Sequence, residues 1–130
     1  MKHEVVEASF KRQDARGTFI EATNRGPWQG VIYGRMKAGA VLGHHYHKQA
    51  VLLFFVTSGV AEVSFVHAQT GERDALRLEA GQGVRIEAFE SHAVRFLSES
   101  EFLMLKSVAF DAKAPDIYEL RVEDEGLGPG

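Results

Sequence analysis

No stretch of this chain holds a helical period of any length. Short β-branched and aromatic runs recur instead, each closed by Gly, Ser, Asp or Asn. The pattern predicts strands over 5–10, 18–22, 30–36, 42–47, 52–57, 61–68, 74–79, 83–87, 93–97, 102–110 and 117–122. Turn signals separate them, among them Asp14-Ala-Arg-Gly17, Asn24-Arg-Gly-Pro27, Ser58-Gly59 and Gln69-Thr-Gly71. Many short strands at this spacing specify an all-β sandwich or small barrel.

The chain has 130 residues, the length of one domain. Residues 1–122 are expected to form it, with the acidic, Gly-rich 123–130 as a mobile tail. The chain has no cysteine, which excludes disulfides, thiolate metal sites and cysteine nucleophiles. The net charge of −3, with both signs interspersed, argues against a nucleic-acid partner, which needs a basic face. The opening Met1-Lys-His-Glu-Val-Val-Glu has no apolar stretch of a secretory signal. The apolar run Val51-Leu-Leu-Phe-Phe-Val56 is too short to cross a bilayer and reads as a buried strand. A cytoplasmic protein without a membrane partner is the expectation.

Chemistry concentrates at three histidines. His45 and His47 stand two apart on one expected strand, so both project to the same face. His92 closes the run Gly81-Gln-Gly-Val-Arg-Ile-Glu-Ala-Phe-Glu-Ser-His92. Burying imidazoles is costly unless they bond something. Converging histidines in a small β-fold therefore suit either a metal centre or acid–base chemistry. His44, adjacent to the pair, is expected on the opposite face. Leu52, Phe54, Val56, Val63, Phe65, Val94, Phe96 and Leu103 read as core.

The spacing of these residues resembles the cupins. The first cupin motif is Gly, five residues, His-x-His, four residues, Glu, six residues, Gly; here Gly39, His45, His47, Leu52 and Gly59 stand at those positions. The second is Gly, five residues, Pro-x-Gly, two residues, His, three residues, Asn; here Gly81, Glu87, Phe89, His92 and Phe96 stand there. The flanks resemble cupins that modify sugar nucleotides. Asp14-Ala-Arg16-Gly17-Thr-Phe19-Ile-Glu21 is similar to a motif of the dTDP-4-dehydrorhamnose 3,5-epimerase family. So is Ser91-His92-Ala-Val-Arg-Phe-Leu97-Ser-Glu-Ser-Glu-Phe102-Leu. Gly43-His-His45-Tyr-His47-Lys48 is similar to the dTDP-sugar 3,4-ketoisomerases. Phe110-Asp-Ala-Lys-Ala-Pro115-Asp116-Ile-Tyr118 is similar to the C-terminal cupin domain of capsular-polysaccharide reductases.

The resemblance implies a cupin double-stranded β-helix, a jelly roll of the RmlC-like type. It implies an isomerase for polysaccharide biosynthesis, either a sugar-nucleotide epimerase or a keto-isomerase. In such chemistry a ketone acidifies a neighbouring C–H, and a base moves that proton. His45, His47 and His92 are the expected catalytic groups, working without a cofactor. Arg16, Glu21 and Arg35 are the expected substrate-binding groups, with the arginines on the diphosphate. Two departures from the relatives bear on this. Leu52 replaces the metal-binding Glu, and Phe110 falls near the catalytic Tyr of the epimerases. Tyr33, Tyr46 and Tyr118 are the tyrosines available to substitute. The first alternative is a metal-binding cupin holding Zn, Fe, Mn or Ni on His45, His47 and His92, as an oxygenase, lyase or sensor. The second is a non-catalytic sugar or metabolite binder. A homodimer is expected, because pairing N-terminal strands between subunits covers sheet edges.

Overall fold

The computed structural model describes residues 1–122; the expected tail lies outside them. The described residues form twelve strands: β1 (Val6–Glu7), β2 (Phe10–Asp14), β3 (Gly17–Glu21), β4 (Gly30–Met36), β5 (Val41–Tyr46), β6 (Leu52–Ser58), β7 (Val60–His67), β8 (Arg73–Glu79), β9 (Gln82–Ile86), β10 (Glu90–Phe96), β11 (Ser100–Lys106) and β12 (Tyr118–Glu119). They build two five-stranded sheets, ordered β1-β9-β6-β11-β4 and β12-β5-β10-β7-β8, and a separate β2–β3 hairpin. Among the described residues, no helix is long and apolar enough to cross a membrane.

The two sheets share one apolar interior, and the period of two along each strand shows which residues enter it. Leu52, Phe54 and Val56 of β6 meet Ala61, Val63 and Phe65 of β7, with Val94 and Phe96 of β10 and Phe102 of β11. Phe54, Phe96 and Phe102 pack ring against ring at centroid separations of 5.2–6.2 Å. Leu53 and Phe55, on the opposite face of β6, are buried as well. The apolar run 51–56 is continuous for that reason.

The strands depart from the expected ones where pairing ends. The expected strand 5–10 divides into β1, on β9, and the start of the β2–β3 hairpin. The expected strand 102–110 stops at Lys106; Ser107 turns away, its hydroxyl accepting the Val51 N–H. Of 117–122, only Tyr118 and Glu119 pair, against Tyr46 and His45 of β5.

Candidate functional site

The histidines are brought together by a bulge. Along β10, His92 alternates with Val94 and Phe96 and so points inward with them. Leu42 of β5 lies opposite Val94 and is also directed inward. Strict alternation from Leu42 would next turn His44 inward and His45 out. The register slips instead: His92 faces His45, while Ala93 faces Gly43. His44 is the extra residue, with φ 63°, and Gly43 before it has φ 112°. The slip turns His45 inward beside its directly opposed partner His92, and His47 follows two residues on. A Cβ on Gly43 would lie 2.3 Å from the His92 carbonyl oxygen, so this crossing needs glycine. The displaced His44 ring accepts the Val122 N–H at Nδ1, 3.1 Å away.

The three rings form a tight cluster. Centroids are 4.9 Å apart for His45 and His92, 5.2 Å for His45 and His47, and 5.9 Å for His47 and His92. One ring nitrogen from each lies within 4.8 Å of the others. Two of the rings also bond backbone carbonyls. His47 Nδ1 donates to Asp116 at 2.5 Å and His92 Nδ1 to Glu90 at 3.1 Å. A carbonyl can only accept, so it fixes the proton on the nitrogen facing it. The Nε2 atoms of His47 and His92 are then lone-pair acceptors, buried and without a partner among the described residues.

Burial also favours the uncharged form of each ring. Desolvation is the largest influence on all three and lowers each pKa below the usual imidazole value, His92 to about 3. For His45 the neighbouring His47 adds to this, and for His47 the Asp116 carbonyl opposes it. Three neutral imidazoles with lone pairs turned toward one another are a donor set that fits a divalent metal such as Zn(II). His45 and His47 can equally serve as bases, whereas His92, with its pKa at about 3, is too weak a base for that work.

The rings open on a cavity of about 270 Å³ with apolar walls of Ile32, Leu42, Leu52, Val94 and Met104. Lys106 also lines it, and its ammonium depresses the pKa of both His45 and His47. Sequence reading missed this lysine, although β11 signals it: Phe102, Met104 and Lys106 alternate onto the inward face. A second cavity of about 310 Å³ shares His47, Lys106 and Ile117 with the first and is walled by Phe110, Pro115 and Tyr118. Asp116 was missed too. Its carboxylate accepts the backbone N–H groups of Lys48, Gln49 and Ala50, which pins the loop after His47.

The expected substrate-binding residues are not in these cavities. Arg16 is exposed at the β2–β3 turn, where it pairs with Asp14 at 2.7 Å and borders a separate groove with Arg12 and Phe19. Glu21 accepts the Ser9 hydroxyl at 2.9 Å. Arg35 is exposed on β4, opposite Glu101 of β11. Of the tyrosines, Tyr118 reaches the second cavity, Tyr46 stacks between Phe89 and Tyr118, and Tyr33 donates to Glu101.

The family model described as the polysaccharide biosynthesis C-terminal domain matches residues 12–118. The chain belongs to this family. Within the family's match lie most of the hairpin and all three histidines. CapF, a capsular polysaccharide assembling protein from Staphylococcus aureus, is 26% identical over 87% of this chain, with a TM-score of 0.69. The chain spans only 34% of CapF, about a third of its length. The dTDP-6-deoxy-D-glucose-3,5-epimerase RmlC from Legionella pneumophila, solved with dTDP-4-keto-L-rhamnose, is 18% identical. It covers 95% of this chain and 74% of its own, with a TM-score of 0.76. ChmJ, a 3'-monoepimerase from Streptomyces bikiniensis solved with dTDP-quinovose, is 18% identical over 97% of this chain and 73% of its own, at TM-score 0.79. At these identities the two epimerases speak for the fold alone, and that fold is the cupin jelly roll. No curated protein matches the sequence.

Proposed function

We propose that this chain is a sugar-nucleotide-modifying cupin that moves a proton next to a ketone, as an epimerase or keto-isomerase. The carrying observation is that His45, His47 and His92 converge on one apolar cavity, with the His47 and His92 rings each anchored on a backbone carbonyl. A neutral imidazole removes the proton alpha to the sugar carbonyl. The apolar walls keep water from competing for it. For His47, the Asp116 carbonyl then holds the ring in place while the added proton sits on Nε2, ready for return to the other face or to another carbon. Incubation with UDP- and dTDP-linked 4-keto-6-deoxy sugars in deuterated water tests this. Solvent deuterium is expected in the product sugar, and less in His45→Ala, His47→Ala and His92→Ala. Its absence from every sugar in the panel contradicts the reading.

A second reading rests on the two unpartnered buried Nε2 atoms. His45, His47 and His92 would hold one divalent metal, which when bound supplies Lewis-acid polarisation of a carbonyl. Metal analysis of protein purified without a histidine tag distinguishes the two. Stoichiometric metal lost in His45→Ala supports the metal centre; an active, metal-free protein rejects it. Nucleotide sugars that raise the melting temperature without turnover would indicate the non-catalytic binder.

A further inference from the structure

We infer that His3 is a positioning residue for the histidine cluster: through the Glu90 carboxylate it clamps the turn Glu87–Glu90, which carries His92 and meets His47. This holds whether the cluster moves protons or binds a metal.

The turn touches both histidines. The Glu90 carbonyl accepts the His92 Nδ1 proton at 3.1 Å, and the Phe89 N–H donates to the His47 carbonyl at 2.7 Å. The Glu90 N–H closes the turn on the Glu87 carbonyl at 3.2 Å, with Phe89 at its third position and φ 68°. A left-handed third residue favours glycine, which the cupin motif has at this position. A bulky side chain stays in that conformation only where its surroundings hold it.

Part of the hold comes from the N-terminal segment. Glu90 Oε1 accepts the Glu87 N–H at 2.8 Å across the turn, and the same oxygen accepts His3 Nε2 at 2.8 Å. Glu90 is buried, so its charge depends on these partners. His3 is itself fixed. Its ring stacks on Phe65, the residue opposed to His92 across β7 and β10. Its Nδ1 and its backbone N–H both donate to Asp74 of β8, at 2.8 and 2.5 Å. Carboxylates only accept, so bonding Asp74 and Glu90 together takes an imidazolium. Three residues on, β1 pairs with β9 of the other sheet, so the segment ties the two sheets together. Without the His3 donors a buried carboxylate loses its cation and the strained turn loses a brace. An opened turn frees the His92 Nδ1 proton, whereas the His47 ring keeps its own bond to Asp116.

Amide hydrogen exchange and ¹H–¹⁵N spectra of the histidine rings in the full chain test this. His3→Phe keeps a ring on Phe65 and removes both ring donors. Asp74→Asn weakens the far anchor and serves if the His3 variant folds poorly. The amides of Glu87, Phe89 and Ala68, all bonded within or to the turn, should exchange faster relative to those of the β6–β11 ladder. The expected increase is roughly tenfold in His3→Phe and less in Asp74→Asn. His92 should gain an Nε2-protonated form, and His47 should not. In a Glu90→Gln background His3→Phe should add little, because the carboxylate it braces is gone. Turn amides that quicken only in step with the ladder would show that His3 adds global stability alone, and would overturn the clamp. An unchanged His92 tautomer, or an equal effect of His3→Phe with and without Glu90→Gln, would overturn it as well.

Discussion

Lys106 of β11 lies directly opposite Leu52 of β6, and both side chains enter the histidine cavity. Opposed residues of an antiparallel pair share a face, so the cavity's ammonium stands beside the position where cupins hold a metal-binding Glu. Replacing Leu52 by Glu would set a carboxylate among the three imidazoles and next to that ammonium. We expect Leu52→Glu to lose about 2–4 kcal/mol in metal-free buffer, because a well-packed buried side chain becomes a buried charge. Zinc should restore much of the loss and raise the melting temperature of the variant more than that of the wild type. Calorimetric unfolding with and without zinc checks this, and an equal zinc response in both proteins would count against it.

Gly43 and His92 cross where the bulge forms, and a side chain at Gly43 has no room. Gly43→Ala should cost about 2–4 kcal/mol, combining a positive φ with a backbone collision. It should also disturb the histidine cluster, which Gly39→Ala, with open space at its Cβ, should not. Urea unfolding together with histidine NMR signals separates the two effects.

Acid should destabilise the protein before its carboxylates titrate. His92 has its pKa lowered to about 3 by burial, whereas in the unfolded chain it titrates near 6.5. Between these values the unfolded state binds the extra proton. This contribution is complete above pH 6.5 and is lost as the pH falls, at about 1.4 kcal/mol per unit from His92 alone. His45 and His47 act in the same direction. Urea titrations from pH 7.5 to 4.5 should show His92→Gln with a shallower slope than the wild type. Equal slopes would mean that His92 is charged in the folded protein.

His3 should behave oppositely. Its ring stacks on Phe65 at 3.6 Å and bridges Asp74 and Glu90, each at 2.8 Å. Burial opposes its charge, but the hydrogen bonds to Glu90 and Asp74 prevail, and its pKa is raised. Its stabilisation is fully present below about pH 6.5 and fades as the pH rises through the folded-state value. His3→Gln should therefore cost more at pH 5.5 than at pH 9. Melting curves at the two pH values test this; a pH-independent loss would show that only the stacking matters.

The β-architecture was legible because alternation is local: Leu52, Phe54 and Val56, or Val94 and Phe96, declare their inward face without knowledge of the partner strand. The pairing of His45 with His47 was legible for the same reason. Their direction was not, because it depends on a one-residue slip against β10 that only the partner strand reveals. Lys106 followed the alternation of β11 but was passed over, since the expected strand ran on to Phe110 and gave its end no meaning. Arg16 and Glu21 are expected at a substrate by resemblance, and Arg35 by its place on the strand before the histidine pair. Within one chain they lie on the hairpin and an outer strand, away from the histidines.

The central claim is that the three clustered imidazoles are neutral, with lone pairs free to take a proton or a ligand. Two-dimensional ¹H–¹⁵N NMR of histidine-labelled, chelator-treated protein reads ring charge and tautomer directly. The account predicts His47 and His92 as neutral rings protonated at Nδ1 at pH 6.5, with His45 neutral beside them and His92 unchanged down to pH 5. An imidazolium signal from His92 at pH 6.5, or Nε2-protonated tautomers for His47 and His92, would contradict it.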